Sequence, residues 1–356
     1  MSATVPSSQP AGVATAGRAR RVPLLLRLLT LAVGVAMAAA VSLVAQSASA
    51  AEVAIVPGTA WKDTQGNPIQ AHGGGMIKVG STYYWFGEDK TGESKGNSPF
   101  LNVPCYSSTD LAHWTFEANV LTRQASGDLG PNRIIERPKV IFNKSTGQYV
   151  MYMHVDTPAH TDTRVGVATS STVCGSYTYR GSTKPQGNIS LDINLFVDDD
   201  DSAYLFSEAR AAGGLRIYRL NADYLNVASL VKVLTDFEAP AVFKLNGRYY
   251  VLGSHRTGWN TNDNEYSTAT SLSGTWATWK LFAPKGTKTF NSQTTFVLPV
   301  AGSQGTTFMF MGDRWKPSSL GTSPYIWLPL TVQGTKVSLA WHDRWFIDTA
   351  TGLWHT

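Results

Sequence analysis

The chain has 356 residues, of which 43% are hydrophobic and 11% aromatic, while only 15% are charged. This composition is typical of a globular protein with a substantial core and excludes an intrinsically disordered chain. Residues 1–50 hold four of the 30 basic residues and no acidic residue, which leaves 26 basic against 25 acidic residues and a net charge of +1. Such a balance favours neither nucleic acid nor an anionic membrane as a partner.

Residues 1–50 have the pattern of a secretory signal peptide. Arginines at 18, 20 and 21 precede an apolar stretch from Val22 to Val44, and the small residues Ala48-Ser49-Ala50 supply a cleavage site. We expect cleavage near Ala50 and a secreted, extracellular protein with no membrane attachment afterwards. The alternative is a transmembrane anchor, and the pattern leaves the export route open. Export would permit a disulfide between Cys105 and Cys174, for which two buried thiols are the alternative.

Residues 51–356 are interpreted as one domain built from a recurring sequence pattern. Each copy begins with a polar residue, here called the head residue, and continues as an apolar run, a turn and an aromatic-rich strand. The clearest copy begins at Glu238, turns at 245–247 and returns as the strand 248–253. Five head residues recur at intervals of 46 to 64 residues: His72, Glu136, Asp192, Glu238 and Gln293.

This period predicts an all-β, five-bladed β-propeller with four antiparallel strands per blade. A two-sheet sandwich would not explain the period. Because the innermost strand of every blade lies beside the propeller axis, the five head residues are expected to converge around one funnel.

Three of the five head residues are acidic, and clustered carboxyl groups raise one another's pKa. A carboxyl group that stays protonated at working pH can act as a general acid. A pair of carboxyl groups surrounded by aromatic rings is typical of the active site of a glycoside hydrolase. Aromatic rings that could reach the funnel are Trp85, Trp259 and Trp315.

The motifs Glu136-Arg137-Pro138-Lys139, Asp192 before an acidic turn, and Glu238-Ala239-Pro240 resemble glycoside hydrolase family 43 in order and spacing. The resemblance implies that Glu238 is the general acid and that Asp192 tunes its pKa. Blade one departs from the family pattern because 71–75 holds no carboxylate, although the family at large places its aspartate base there. This departure resembles the exo-β-1,3-galactanase branch, which has a glutamate on blade two and a glutamine on blade five.

The resemblance to that branch implies an inverting enzyme that releases galactose from the non-reducing end of β-1,3-galactan, the backbone of plant arabinogalactan. Glu136 and Gln293 are the candidates for handling the nucleophilic water, and the sequence leaves the choice between them open. We expect a monomer that needs no cofactor and no metal. The alternatives are an α-L-arabinofuranosidase or β-xylosidase of the same fold, and a non-catalytic sugar-binding propeller.

Residues beside the heads or after strands are candidates for binding substrate, since loops and strand ends at the axis reach the funnel. The substrate-binding candidates are His72, Glu88, Arg137, Thr257, Trp259 and Trp315. The histidines 72, 154 and 255 also follow or head strands, but we interpret them as structural residues and not as a metal trio.

Overall fold

The computed structural model describes residues 54–210 and 213–356, so the expected signal peptide lies outside the described residues. The described chain forms five four-stranded antiparallel sheets, which confirms the predicted five-bladed propeller. Blade one comprises β1 (His72–Val79), β2 (Thr82–Glu88), β3 (Asn102–Ser108) and β4 (Thr115–Thr122). Blade two comprises β5 (Ile134–Asn143), β6 (Gln148–Asp156), β7 (Arg164–Ser170) and β8 (Thr178–Thr183).

The other three blades repeat this arrangement. Blade three comprises β9 (Ile193–Val197), β10 (Ala203–Ala209), β11 (Gly214–Leu220) and β12 (Val227–Val233). Blade four comprises β13 (Glu238–Leu245), β14 (Arg248–Ser254), β15 (Glu265–Ala269) and the short β16 (Lys280–Leu281). Blade five comprises β17 (Gln293–Ala301), β18 (Thr306–Asp313), β19 (Tyr325–Gln333) and β20 (Lys336–Leu339), and a hairpin of β21 (Phe346–Asp348) and β22 (Leu353–His355) follows it.

The innermost strands β1, β5, β9, β13 and β17 each contact the innermost strands of both neighbouring blades, which closes the ring. Ile55, before blade one, pairs with Trp345, after blade five, and so links the two ends of the described domain. Among the described residues, no helix is long and apolar enough to cross a membrane.

The hydrophobic core lies between successive blades and not inside any one sheet. Three buried clusters fill the spaces between blades one and two, two and three, and three and four, and a larger cluster joins blades four, five and one. Because both faces of a blade are covered, its central strands are apolar runs without a polar face, as in the 204–206 segment of β10.

Trp85 lies in the core and not at the funnel, contrary to expectation. Its side chain is 1% exposed, and its ring centroid lies 4.6 Å from that of Trp327 and 5.3 Å from that of Trp114. Trp85 is in the middle of β2, where a side chain points toward the next blade. Its indole ring therefore stabilises the contact between blades one and five.

The two cysteines form a disulfide between neighbouring blades. Cys105 lies on β3 of blade one, and Cys174 lies in the loop after β7 of blade two. The 69-residue separation makes this disulfide a cross-link between neighbouring repeats. The sequence alone left open whether the two cysteines form a disulfide or remain buried thiols.

In three blades a residue with a positive φ follows the head residue and opens a β-bulge in the inner strand. The residue after the head has a positive φ at Gly73 (59°), Arg137 (55°) and Ala239 (52°). Strand pairing shifts register immediately afterwards in all three. A left-handed conformation is costly for a residue with a Cβ atom, so Arg137 and Ala239 are strained positions at the axis.

Candidate active site

Four of the five head residues line one cavity of about 340 Å³ at the axial end of the inner strands. These residues are Glu136, Asp192, Glu238 and Gln293. Arg137, Glu88, Trp259 and Trp315, four of the predicted substrate contacts, line the same cavity. The cavity has the size of a small-molecule or sugar-ring site.

His72, the fifth head residue, does not lie at the cavity surface. Its side chain is fully buried, its Nδ1 lies 3.0 Å from Asp313 Oδ1, and its ring stacks on Tyr325 with a centroid distance of 4.9 Å. The expectation that His72 contacts substrate is therefore not supported. The Asp313 carboxylate and the Tyr325 ring therefore hold the His72 side chain in the core.

Thr257 is also not placed as expected. It is exposed in the loop after β14, and its hydroxyl donates a hydrogen bond to the carbonyl oxygen of Asn260 in the same loop. Gly258 and Trp259 of this loop line the cavity instead. The Trp259 ring packs edge-on against Trp315 with centroids 5.3 Å apart, so two indoles form one wall of the site.

Glu238, at the start of β13, is a buried carboxyl group in an environment that favours its protonated form. The residue is 6% exposed, and its Oε2 lies 3.9 Å from Arg210 Nη2. Burial, followed by the negative charges of Asp192 and Glu208, raises the pKa of Glu238 to about 8. At neutral pH this carboxyl group can therefore donate a proton.

Glu208, at the end of β10, completes a cluster of three carboxyl groups. Carboxylate oxygens of Asp192, Glu208 and Glu238 lie within 4.8 Å of one another. Glu208 is fully buried, and its Oε1 accepts a hydrogen bond of 2.7 Å from Arg210 Nε. Burial and the charge of Asp192 raise the pKa of Glu208 to about 7. Glu208 and Glu238 are therefore unable to ionise independently of each other.

Gln293 is held in a single amide orientation by its partners. Its Oε1 accepts hydrogen bonds from Arg137 Nη2 at 2.6 Å and from Trp315 Nε1 at 2.9 Å. Since guanidinium and indole groups can only donate, the atom that faces them must be the amide oxygen. The amide nitrogen consequently faces Glu238, and it donates to Glu238 Oε1 at 2.9 Å.

Arg137 links the carboxyl cluster to blade five. Its Nη2 lies 3.2 Å from Asp192 Oδ2, and its Nη1 donates to the carbonyl oxygen of Thr294 at 3.0 Å. Only 5% of Arg137 is exposed, so its guanidinium group is a fixed positive charge among the head residues. Its main contribution is to hold Asp192 and Gln293 in place.

Glu136 has an environment opposite to that of Glu238. His154 Nδ1 lies 3.1 Å from Glu136 Oε2, and Lys90 Nζ lies 3.9 Å from Oε1. Burial acts to raise its pKa, but the hydrogen bond from His154 and the charge of Lys90 outweigh burial and lower the pKa to about 2. Glu136 is therefore an ionised carboxylate at every working pH, while Glu238 is an acid.

Carboxylates from a preceding blade accept hydrogen bonds from the bulges. Glu88 Oε1 accepts from Arg137 N at 2.9 Å, Asp192 Oδ2 from Ala239 N at 3.0 Å, and Asp313 Oδ2 from Gly73 N at 2.9 Å. The other oxygen of Glu88 lies 2.6 Å from Lys90 Nζ. Glu88 and Asp192 thus fix the strained backbone as well as lining the cavity.

Sequence reasoning missed Lys90, Glu208 and Arg210, which all line or support the cavity. A signal for this region is present in the second strand of four blades. These strands carry an acid at or next to their last residue, at Glu88, Asp156, Glu208 and Asp313, whereas β14 of blade four ends at Ser254. In an antiparallel blade the end of the second strand lies beside the start of the first, so a second ring of acids lies next to the head residues.

Comparison with known proteins agrees with this geometry. The family model described as glycosyl hydrolases family 43 matches residues 66–293. A search of the curated proteins found no match.

Solved structures of similar chains include exo-acting galactanases and a galactosidase. An exo-β-1,3-galactanase from Phanerochaete chrysosporium, solved as a glutamate-to-glutamine variant with β-1,3-galactotriose, is 43% identical. That match covers 85% of this chain and 70% of the other, with a TM-score of 0.80. The exo-β-1,3-galactanase of Clostridium thermocellum is 39% identical over 85% and 68% of the two chains, with a TM-score of 0.79. A family 43 β-1,3-galactosidase solved with galactodeoxynojirimycin is 32% identical over 82% and 100%, with a TM-score of 0.77.

Proposed function

This chain belongs to glycosyl hydrolase family 43, and we propose that it is an exo-acting glycoside hydrolase that releases galactose from the non-reducing end of β-1,3-galactan. The observation that carries the proposal is a pair of carboxyl groups in one cavity whose pKa values are shifted in opposite directions. Glu238 has a raised pKa and Glu136 a lowered one. Hydrolysis of a glycoside needs one protonated and one ionised or water-binding group.

In the proposed reaction, Glu238 protonates the glycosidic oxygen as the bond to the anomeric carbon breaks. Burial, together with the negative charges of Asp192 and Glu208, keeps Glu238 protonated until that step. After transfer, Arg210, whose Nη2 is 3.9 Å from Glu238 Oε2, lies close enough to stabilise the carboxylate that forms.

We assign the positioning of the attacking water to Gln293. Two donors fix its amide oxygen, so its nitrogen is directed to the cavity side where Glu238 lies. An inverting enzyme separates its acid from its water-handling group by about 6.5–9.5 Å. The sugar therefore enters between Gln293 and Glu238 and breaks their 2.9 Å hydrogen bond. Glu136, which is ionised, accepts the proton that the water loses as its oxygen bonds to the anomeric carbon.

The two indoles suit a sugar substrate. Trp259 and Trp315 line the cavity beside the acid, and indole rings stack on the apolar faces of pyranose rings. We extend the proposal to the galactan backbone of plant arabinogalactan and to a secreted, monomeric protein whose signal peptide is cleaved near Ala50. Amino-terminal sequencing and gel filtration of the protein secreted by its host test the last two points.

The decisive experiment is hydrolysis of linear β-1,3-galactan by residues 51–356, followed by proton NMR from the first minutes. Galactose that appears first as the α-anomer supports an inverting exo-galactanase. Release of longer oligosaccharides, or of β-galactose first, would contradict the proposal. Activity on aryl arabinofuranoside or xyloside without activity on galactan would support the alternative specificities.

Two variants separate an enzyme from a sugar-binding propeller. Glu238→Gln keeps the shape of the side chain and its acceptance from Gln293 but removes the acid proton. We expect turnover to fall by at least about 100-fold, with binding of β-1,3-galactotriose retained. A wild-type protein that binds the trisaccharide without turnover would support the non-catalytic alternative.

The role of the water-handling residues is tested by comparing Glu136→Gln with Gln293→Ala, each with added azide. A small anion that enters the cavity can replace the attacking water and needs no deprotonation. Rescue by azide in only one variant would identify the residue that takes the proton from water. If azide rescues neither variant, both residues bind substrate and the assignment of Gln293 to the water would be wrong.

A further inference from the structure

A second group of ligand-type side chains lies beside the catalytic cavity, on β6 and the loop that follows it. His154 Nε2 lies 3.0 Å from Asp156 Oδ2, and His160 Nδ1 lies 3.4 Å from the same oxygen. One ligand atom from each of the three residues lies within 4.8 Å of the others. His154 and His160 also line the cavity, so the group is open to solutes that enter it.

Asp156 is fixed so that only one of its oxygens faces the histidines. Its Oδ1 accepts three backbone hydrogen bonds, from Thr157 at 2.8 Å, Asp162 at 2.9 Å and Thr163 at 3.0 Å. The side chain is fully buried. Its Oδ2 is therefore held toward the two imidazole rings by the backbone of the loop and not by the rings themselves.

The orientation of His154 is set from its other side. Its Nδ1 lies 3.1 Å from Glu136 Oε2, and its Nε2 lies 3.0 Å from Asp156 Oδ2, so the two ring nitrogens face different carboxylates. A histidine whose far nitrogen donates to a carboxylate is the arrangement that orients and strengthens a metal-binding imidazole.

His160 closes the group from the solvent side. Its side chain is 49% exposed and its ring lies parallel to that of His154, with centroids 6.1 Å apart. The backbone of His160 is left-handed, with a φ of 51°, and the same loop holds Thr163 at 47°. The loop thus brings the exposed imidazole back over the buried aspartate.

We propose that His154, Asp156 and His160 bind a divalent transition-metal ion, with Zn²⁺ as the reference ion, and that Glu136 orients His154 in this site. A tetrahedral ion with bonds of about 2.0–2.2 Å separates its ligand atoms by about 3.3–3.6 Å. The contacts of 3.4 Å and 3.0 Å to Asp156 are at and slightly below this spacing, and one ligand atom from each of the three residues lies within 4.8 Å of the others. Two imidazole nitrogens and one carboxylate oxygen favour Zn²⁺, Ni²⁺ or Cu²⁺ over Ca²⁺ and Mg²⁺. The ion takes the place of the protons between the three side chains, and the solvent side of His160 leaves a fourth position for water.

The site is tested with the metal-stripped protein, residues 51–356, by calorimetric titration with Zn²⁺ and separately with Ca²⁺. We expect one Zn²⁺ per chain, weaker binding of Ca²⁺, and release of protons that makes the measured enthalpy depend on the buffer. His160→Ala removes a half-exposed ligand, and we expect it to weaken Zn²⁺ binding by at least about tenfold.

The matched control is His255→Ala, which removes another half-exposed histidine that pairs with a carboxylate, Glu265, at 3.0 Å. Its Zn²⁺ affinity should equal that of the wild type. Absence of Zn²⁺ binding, an equal loss in both variants, or tighter binding of Ca²⁺ than of Zn²⁺ would overturn the proposal. All of these results are obtained without any assay of hydrolysis, so they stand apart from the proposed enzymatic function.

Discussion

Replacing Glu208 with glutamine tests whether the clustered carboxyl groups set the protonation of the acid. The substitution retains an oxygen that can accept the 2.7 Å hydrogen bond from Arg210, but it removes one negative charge near Glu238. Glu238 should then lose its proton at a lower pH. Since the protonated form is the active acid, the loss of activity at high pH should begin earlier in the variant.

The structure sets the scale of this effect. Two full charges 4.8 Å apart, the upper limit on the separation of these carboxylate oxygens, repel by about 3.5 kcal/mol if the effective dielectric constant is about 20. At 1.36 kcal/mol per pKa unit, this repulsion corresponds to about 2.5 units before any compensation by other charges. Arg210 cancels part of the charge of Glu208, and Glu208 is itself half protonated near pH 7. We therefore expect the alkaline limb of the profile to move down by about one unit.

The assay is kcat/KM for a short β-1,3-galactooligosaccharide as a function of pH, which reports the ionisations of the free enzyme. Glu117→Gln, which removes an exposed glutamate on β4 of blade one, is the matched control and should leave the profile unchanged. An alkaline limb that stays within about 0.3 units of the wild type in Glu208→Gln would refute the electrostatic reasoning. A shift upward would show that Glu208 acts on Glu238 as a hydrogen-bond donor and not as a charge.

Arg137→Lys should lower kcat by about 100-fold with a smaller change in KM, because Gln293 and Asp192 lose their common anchor; an equal rise in KM would instead assign Arg137 to substrate binding. Cys174→Ser should lower the free energy of unfolding by about 4 kcal/mol, since the disulfide closes a loop of 69 residues, and urea titration with and without reductant checks this value. Lys139 is buried, and burial together with the charge of Arg137 lowers its pKa to about 7. The unfolded chain therefore binds more protons between pH 7 and about 10.4, so the wild type should gain stability with rising pH across this window relative to Lys139→Met. Parallel urea titrations at pH 7 and pH 9.5 would disprove this if the difference between the two proteins stayed constant.

Much of the fold could be predicted because a propeller blade is made of local hairpins. Each blade is continuous in sequence, so the turn after each apolar run, such as 245–247 between β13 and β14, marks its own strand boundary. The position of a head residue at or just before the start of an inner strand then places it at one end of the ring of inner strands. For this reason Glu136, Asp192, Glu238 and Gln293 could be expected to meet before any contact between blades was known.

The direction in which a side chain points could not be inferred from its position along a strand. His72 holds the same place in its repeat as Glu238, yet it is buried against Asp313 and Tyr325. Trp85 faces the next blade because neighbouring strands decide which face of β2 is covered. Neither outcome could be read from one blade, since both depend on residues more than 200 positions away.

The sequence by itself determined the repeat, the number of blades and the ring of polar residues at the axis, because these follow from local patterns of strands and turns. Only the tertiary structure decided the chemistry of those residues. It set Glu238 beside two other acids, and Glu136 beside His154 and Lys90. Two glutamates at equivalent positions thus acquire opposite protonation, because the pKa of a buried carboxyl group depends on charges contributed by other strands and blades.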